Sequence, residues 1–409
     1  MNMRIFSLAA ILVLLLAAPL YLSSALVNAA IQMLIAALFA TAFNTLAGQG
    51  GMLSFGHSAF FAIGTFATVH AMNAFDETGL LPTPLLPLVG ALGGALIGLL
   101  AGWFSTRRSG VYFSMITLAL AELLHAIAPH LSGLFGGEGG VSAMRMPAWG
   151  FDFGSSVQVY YLTVVWTVLG IGVLYYFTTT PLGRLCVGLR ENAHRLRFLG
   201  YDEHRLRLCV FIVSATLSGL AGGLLAMSNE AANYVLFNLH LSAQVLLNSY
   251  IGGIGIFFGP AFGAAVMTFF GYAVSDLTRA WLLYQGVIFV LVMMFMPAGL
   301  CSVGLWWMRH RERQSARRLA TVLAGWLLGC LAAGAGFVFL VEFSSRILDS
   351  DYQAMLVEGM AWPAVTLFGG QWLPGHAAVW AVPSALVVLG IAGIIRTNRT
   401  WRQACEELS

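Results

Sequence analysis

The chain has 409 residues, of which 59% are hydrophobic and only 9% charged. A soluble domain carries about 25% charged residues, so this chain cannot dress a water-facing surface and its solvent is lipid. A net charge of +3 is too small, and too unevenly placed, to suggest nucleic-acid binding, and all 20 basic residues are Arg, so no Lys is present to serve a nucleotide-binding phosphate loop.

A spanning helix needs about 20 apolar residues. The N-terminal run MNMRIFSLAAILVLLLAAPL has the pattern of a signal peptide, but more membrane segments follow at once, so it is expected to be retained as a first helix. Apolar runs then give twelve segments: 5–22, 25–46, 55–73, 84–104, 111–130, 157–178, 208–228, 242–258, 260–275, 281–297, 319–341 and 377–395. The fold class is all-α, a polytopic transmembrane helical bundle. Segments 55–73, 242–258 and 260–275 are short and bordered by Gly or Pro, and are expected to be broken or re-entrant. Alternating the twelve segments puts 17 of the 20 arginines on one side, with Asp76, Glu77, Glu138, Asp152, Glu342, Asp349, Asp351 and Glu358 on the other. By the positive-inside rule both termini are cytoplasmic.

Residues 48–64, GQGGMLSFGHSAFFAIG, interrupt the membrane region with five glycines. Such a break at membrane depth needs cover from protein or a water-filled cavity. His57 within it fits a hydrogen bond at the helix start or a titrating switch. Glu122 lies mid-membrane in TLALAELLHAI with His125 three residues on, which suits either a pathway carboxylate or a Glu–His contact locking two helices. The outward loop GLFGGEGGVSAM reads as a flexible surface or as part of an outer docking face.

The basic stretch PLGRLCVGLRENAHRLRFLGYDEHRLRL, 181–208, is an amphipathic helix ended by Gly200. Arginines alone would make it a topology signal; the interleaved Leu182, Leu185, Leu189, Leu196 and Leu199 suit docking into a groove on a cytoplasmic partner. A second interruption, NSYIGGIGIFFGPAFGA, spans 248–264. Displaced by 204 positions it matches the first: Asn44 on Asn248, Gly48 on Gly252, Gly51 on Gly255, Phe66 on Phe270. Paired interruptions in two halves point to a transport site, whereas small residues alone would serve helix packing.

Taken in order, NTLAGQGGMLSFGHSAFFAIG, GVYFSMITLALAELL, FGGEGGVSAM, PLGRLCVGLRENAHRLRFLG and YIGGIGIFFGPAFGA resemble the permease subunits of branched-chain amino-acid ABC importers, most closely the longer permease type, whose relatives include urea and amide permeases. The resemblance covers about residues 25–305. It implies a permease domain at 1–305, with about 10 core segments, and an extension at 306–409 carrying two further transmembrane helices. The family usually ends before that extension, and it more often has a Pro or Thr and an Asn between the glycine pairs of FGGEGG. The implied partners are a second homologous permease, two cytoplasmic ATPase subunits and a periplasmic substrate-binding protein in a bacterial inner membrane. ATP is used by the partners and no cofactor is implied here. The coupling-helix role falls on Gly183, Arg184, Arg190, Glu191, Asn192 and Gly200.

The expected function is therefore import of branched-chain amino acids or a related small polar solute by alternating access. The expected pathway residues are Asn44, Gly48, Gly51, His57, Glu122, Asn248, Gly252, Gly255 and Pro260. A facilitative channel or secondary carrier working without ATPases is the competing reading. No catalytic residue is expected, because spacing pairs no nucleophile with a base and an orienting group. No metal site is expected either: the nine histidines include no H-E-x-x-H, and no two of the five cysteines are spaced C-x-x-C.

Overall fold

A computed structural model describes residues 13–75, 81–296, 298–302, 316–357 and 362–406. The chain divides into two compact units, residues 1–273 with 285–302 and residues 274–284 with 303–409. Among the described residues, seven helices are long and apolar enough to cross a membrane. This is a multi-pass, all-α membrane protein.

In the first unit, residues 13–21 are helical. Ten further helices of more than ten residues follow among the described residues: α1 (Ser24–Asn44), α2 (His57–Phe75), α3 (Pro87–Ser105), α4 (Val111–Ile127), α5 (Ser156–Thr179), α6 (Pro181–Phe198), α7 (Glu203–Asn229), α8 (Leu239–Gly252), α9 (Gly259–Ser275) and α10 (Trp281–Phe295). The last two residues of α9, from Val274, and the first turn of α10, to Tyr284, belong to the second unit. The expected first segment, 5–22, lies partly outside the described residues. Its later part packs on α5, where Tyr160 and Tyr161 donate to the carbonyls of Leu15 and Leu16 at 2.8 and 3.1 Å.

Helix α7 is the buried axis of this unit, packed by α1, α2 and α3. Lipid tails are as apolar as leucine, so helices associate in a bilayer through close packing rather than through escape from water. The sequence supplies that closeness. A Cβ on Gly64 would lie 2.5 Å from the Gly219 Cα, and one on Gly219 would lie 2.8 Å from the Gly94 Cα. Three backbones therefore meet at one crossing that tolerates no side chain. Helix α3 turns Leu88, Leu92, Leu96, Leu99 and Leu100 outward, as a lipid-facing helix must.

At 14, 17 and 15 residues, α8, α9 and α10 rise only about 21–26 Å at 1.5 Å per residue, short of the ~30 Å hydrocarbon core. The break between α8 and α9 starts at Gly253, earlier than the expected 242–258 segment allowed. At one end of the bundle β1 (Val141–Ser142) pairs antiparallel with β2 (Ala231–Ala232). Beside it the Arg145 Nε meets the Glu230 carboxylate at 3.1 Å, and Arg145 Nη1 donates to the Met227 carbonyl at 2.9 Å. The glycine-rich loop 132–156 is thereby fastened to the end of α7.

The second unit is a helix pair, α11 (Ala316–Ile347) and α12 (Ala377–Glu406), joined by a short helix at Ser350–Val357 and the hairpin β3 (Val365–Leu367)–β4 (Gly370–Trp372). Here too glycine sets the helix spacing: a Cβ on Gly390 would lie 2.5 Å from the Ala333 nitrogen. Phe343, Val365, Leu367 and Val379 form a separate small core.

Candidate functional site

The first interruption is built from a wound-out helix end. After Asn44 the chain makes one π-helical turn, Thr45–Gln49, and then runs non-helically to Gly56. Helix α4 satisfies this freed backbone. Ser114 Oγ donates to the Leu53 carbonyl at 2.6 Å, and the Phe55 N–H donates to Thr117 Oγ1 at 3.3 Å. A Cβ on Gly56 would lie 2.9 Å from the Thr117 carbonyl carbon. Unpaired backbone groups are costly in a bilayer, and these contacts meet that cost.

The S-x-G-H-S run then ties the start of α2 to distant helices. Ser214 Oγ donates to the Ala42 carbonyl at 2.6 Å, so it must accept from His57, whose Nε2 lies 2.8 Å away. That arrangement makes His57 an Nε2–H tautomer and leaves Nδ1 without a partner. The ring is fully buried, edge-on to Phe43 and Phe60. Ser58 N–H donates to Ser242 Oγ of α8 at 2.9 Å, and Ser58 Oγ donates to the Phe237 carbonyl at 3.1 Å. His57 thus bonds across helices rather than at its own helix start.

The second interruption, residues 253–258, is covered by the segment after α10. Leu300 N–H donates to the Ile251 carbonyl at 2.7 Å, and a Cβ on Gly299 would lie 2.6 Å from the Gly252 carbonyl carbon. Pro260 sits in the first turn of α9, where its missing N–H costs nothing. The two interruptions touch: a Cβ on Gly48 would lie 2.7 Å from the Ile254 carbonyl oxygen. Asn44 is buried beside that contact, and buried Asn248 accepts from Gln285 at 3.2 Å.

Helix α6 lies at this same end. Thr180 caps it, and Gly183 permits the sharp turn out of α5, a Cβ there lying 2.8 Å from the Thr178 Cα. Asn192 is non-helical (φ −158°, ψ 96°) and its Oδ1 accepts from the Arg195 N–H at 3.0 Å, so α6 is two short helices with Asn192 capping the second. Gly200, at φ 86°, closes the second with the paired bonds Tyr201 N–H to Leu196 O and Gly200 N–H to Arg197 O. Leu189 and Leu196 are buried with Leu206, and Leu185 packs beside them, so those leucines are spent on α7 rather than on an outside groove. Leu182, Phe198, Leu199 and Tyr201 stay exposed, Phe198 at 92%. Arg184, Arg190, Glu191, Asn192 and Gly200 are exposed as well, and Gly183 is buried. Burial, with Cys209 nearby, pushes the Cys186 thiol up to about 12, so it packs as an inert hydrophobe.

A family model described as the permease component of a branched-chain amino acid transport system matches residues 25–297. The chain belongs to this family. It is a permease subunit of an ATP-binding-cassette importer. It is 27% identical to the high-affinity branched-chain amino acid transport system permease protein LivM of Escherichia coli (strain K12), over 72% of this chain and 74% of that one. The LivM protein of Salmonella typhimurium is 27% identical over 71% and 73%. A LivH permease protein from the same Salmonella strain is 24% identical over 64% of this chain and 90% of its own length. No solved structure matches the chain significantly.

Within the permease, the expected pathway residues separate. Asn44, Gly48, His57, Asn248, Gly252 and Pro260 are buried in protein, whereas Gly51, Gly255 and Glu122 are exposed. Glu122 does not pair with His125, which stacks instead on Tyr234 with ring centroids 5.8 Å apart. Glu122 shares the exposed face of α4 with Met115, seven residues before it. Ser58, Ser114, Thr117, Ser214 and Ser242 were not singled out from sequence. Lone hydroxyls in apolar helices carry no pattern until the facing helix is known.

Proposed function

We propose that the permease imports a branched-chain amino acid or a related small polar solute across a bacterial inner membrane, with both termini cytoplasmic. A second homologous permease pairs with it, a periplasmic binding protein delivers the solute, and two ATPase subunits dock on α6. The observation that carries this reading is the direct contact of the two interruptions, Gly48 against Ile254, at the end of the bundle that bears α6. Two backbone breaks that meet can be opened or closed together, and a helix beside them can drive that change. The arginine excess of that end makes it the cytoplasmic one. The exposed Leu182, Phe198, Leu199 and Tyr201 supply the apolar docking surface.

A carboxylate is costly against lipid. We therefore place the Glu122 face of α4 on the solute path between the two permeases. ATP is hydrolysed by the partner subunits, and this chain needs no cofactor of its own. The test is purification with the products of neighbouring transport genes, followed by uptake of labelled leucine into proteoliposomes. Uptake should require both ATP and the ATPase subunits. Transport by the solubilised chain alone, without ATP, would replace the importer with a facilitative carrier.

A further inference from the structure

Arg190 is the residue through which α6 reaches the interruptions. Its Nη1 donates to the Gly48 carbonyl. The contact is not made by the guanidinium alone. A Cβ on Gly51 would lie 2.6 Å from the Arg190 Cγ and 3.3 Å from its Cα. Gly51 is held at φ +67°, a conformation that favours glycine, so the first interruption presents bare backbone to the backbone of α6. A long arginine is a loose tether in solvent. Arg190 is exposed as a residue, yet its stem is pressed on Gly51 and its head donates to a carbonyl three residues earlier.

Position completes the argument. Arg190 stands two residues before Asn192, where α6 bends. The half beyond the bend carries Phe198 and Leu199, and the half before it, which carries Arg190, joins α5 at the tight turn around Gly183. A swing of that first half about its junction with α5, pulled through the bend or through exposed Leu182, moves Arg190 against Gly51 and Gly48. Gly48 in turn abuts the Ile254 carbonyl of the second interruption. Two successive contacts thus join the ATPase-facing helix to both breaks.

We propose that Arg190 is a positioning residue that transmits movement of α6 into the two interruptions, so that its loss separates ATP hydrolysis from solute movement. This rests on the importer reading above. The experiment compares solute moved per ATP hydrolysed in proteoliposomes holding the complete complex. Arg190→Met keeps the stem and removes the donor; the ratio should fall by about 10-fold or more, while the ATPase subunits stay bound. Arg190→Lys restores a donor and should recover much of the ratio. Gly51→Ala displaces the stem with Arg190 intact and should lower the ratio as Arg190→Met does. An Arg190→Met complex with the wild-type ratio overturns the proposal. So does one that sheds its ATPases, which would make Arg190 a docking residue. A wild-type chain that holds no ATPase overturns the importer reading itself, and this linkage with it.

Discussion

His57 looked from sequence like either a local hydrogen bond or a switch, and its geometry decides what removing it does. The ring donates through Nε2 to Ser214, which donates in turn to the Ala42 carbonyl, so one imidazole links α2, α7 and the end of α1. His57→Ala removes a buried ring between Phe43 and Phe60 and one donor. The expected loss is roughly 2–4 kcal/mol, from cavity formation and the hydrogen bond together. In detergent this should appear as a lowered apparent unfolding temperature and less folded protein. His57→Gln, whose amide nitrogen can reach the place of Nε2, should recover part of that loss; His57→Asn, one carbon shorter, should recover less. Equal stability of the Gln and Asn variants would mean that the Ser214 bond is not what His57 contributes.

Among the elements, the two interruptions show why a glycine in a sequence is an incomplete message. The displacement by 204 residues pairs Gly51 with Gly255, yet the two have different surroundings. Gly51 has a positive φ and touches Arg190, whereas Gly255 faces open space. The glycines that cannot change around the second break are Gly252, Gly253, Gly259, Gly263 and Gly299; a Cβ on Gly263, for example, would lie 2.5 Å from the Gly252 Cα. Gly255→Ala should therefore leave the amount of folded protein and its uptake within about twofold of wild type, while Gly263→Ala lowers both by overpacking, a cost of roughly 1–3 kcal/mol. Uptake assays on membranes with matched protein levels check the pair. The existence of the breaks was legible, because the first glycine cluster stands among Gln49, Ser54 and His57 and the second runs into Gly259-Pro260, whereas the glycine pairs of α3 and α7 lie in plain apolar runs and stay helical. Which glycines matter was not, because that depends on backbones brought close by helices far away in sequence. The same holds for α6. Its 3.6-residue spacing announced an apolar stripe, but only the fold assigns Leu189 and Leu196 to α7 and leaves Phe198 and Leu199 outside. The double variant Phe198→Ala/Leu199→Ala should leave the permease folded and reduce the ATPase retained on purification by about 10-fold or more, since exposed aromatic anchors carry much of the energy of such a contact. Retention equal to wild type would move the docking surface elsewhere on this end.

For the whole molecule, the question is what the region beyond the family match does to the rest. The family model ends at residue 297, and the second unit has its own glycine-set helix crossing and its own core around Phe343. Neither needs a residue of the first unit. The second unit also takes in residues 274–284, where the Tyr284 hydroxyl donates to the Glu342 carboxylate at 2.8 Å. A chain ending at Ser302 should therefore retain the α1–α2–α3–α7 packing, since that crossing is made wholly of residues before 230, and should still insert in the membrane. What it loses is the support of 274–284. That segment carries exposed Arg279, and cleavage there requires local unfolding that the intact second unit opposes. Limited trypsin treatment in detergent should then cut after Arg279 several-fold faster in the shortened chain, while cleavage at Arg107 and Arg108, at the far end of α3, keeps its rate. If all these sites open together, the second unit stabilises the entire permease; if none does, Glu342 contributes nothing to holding the start of α10.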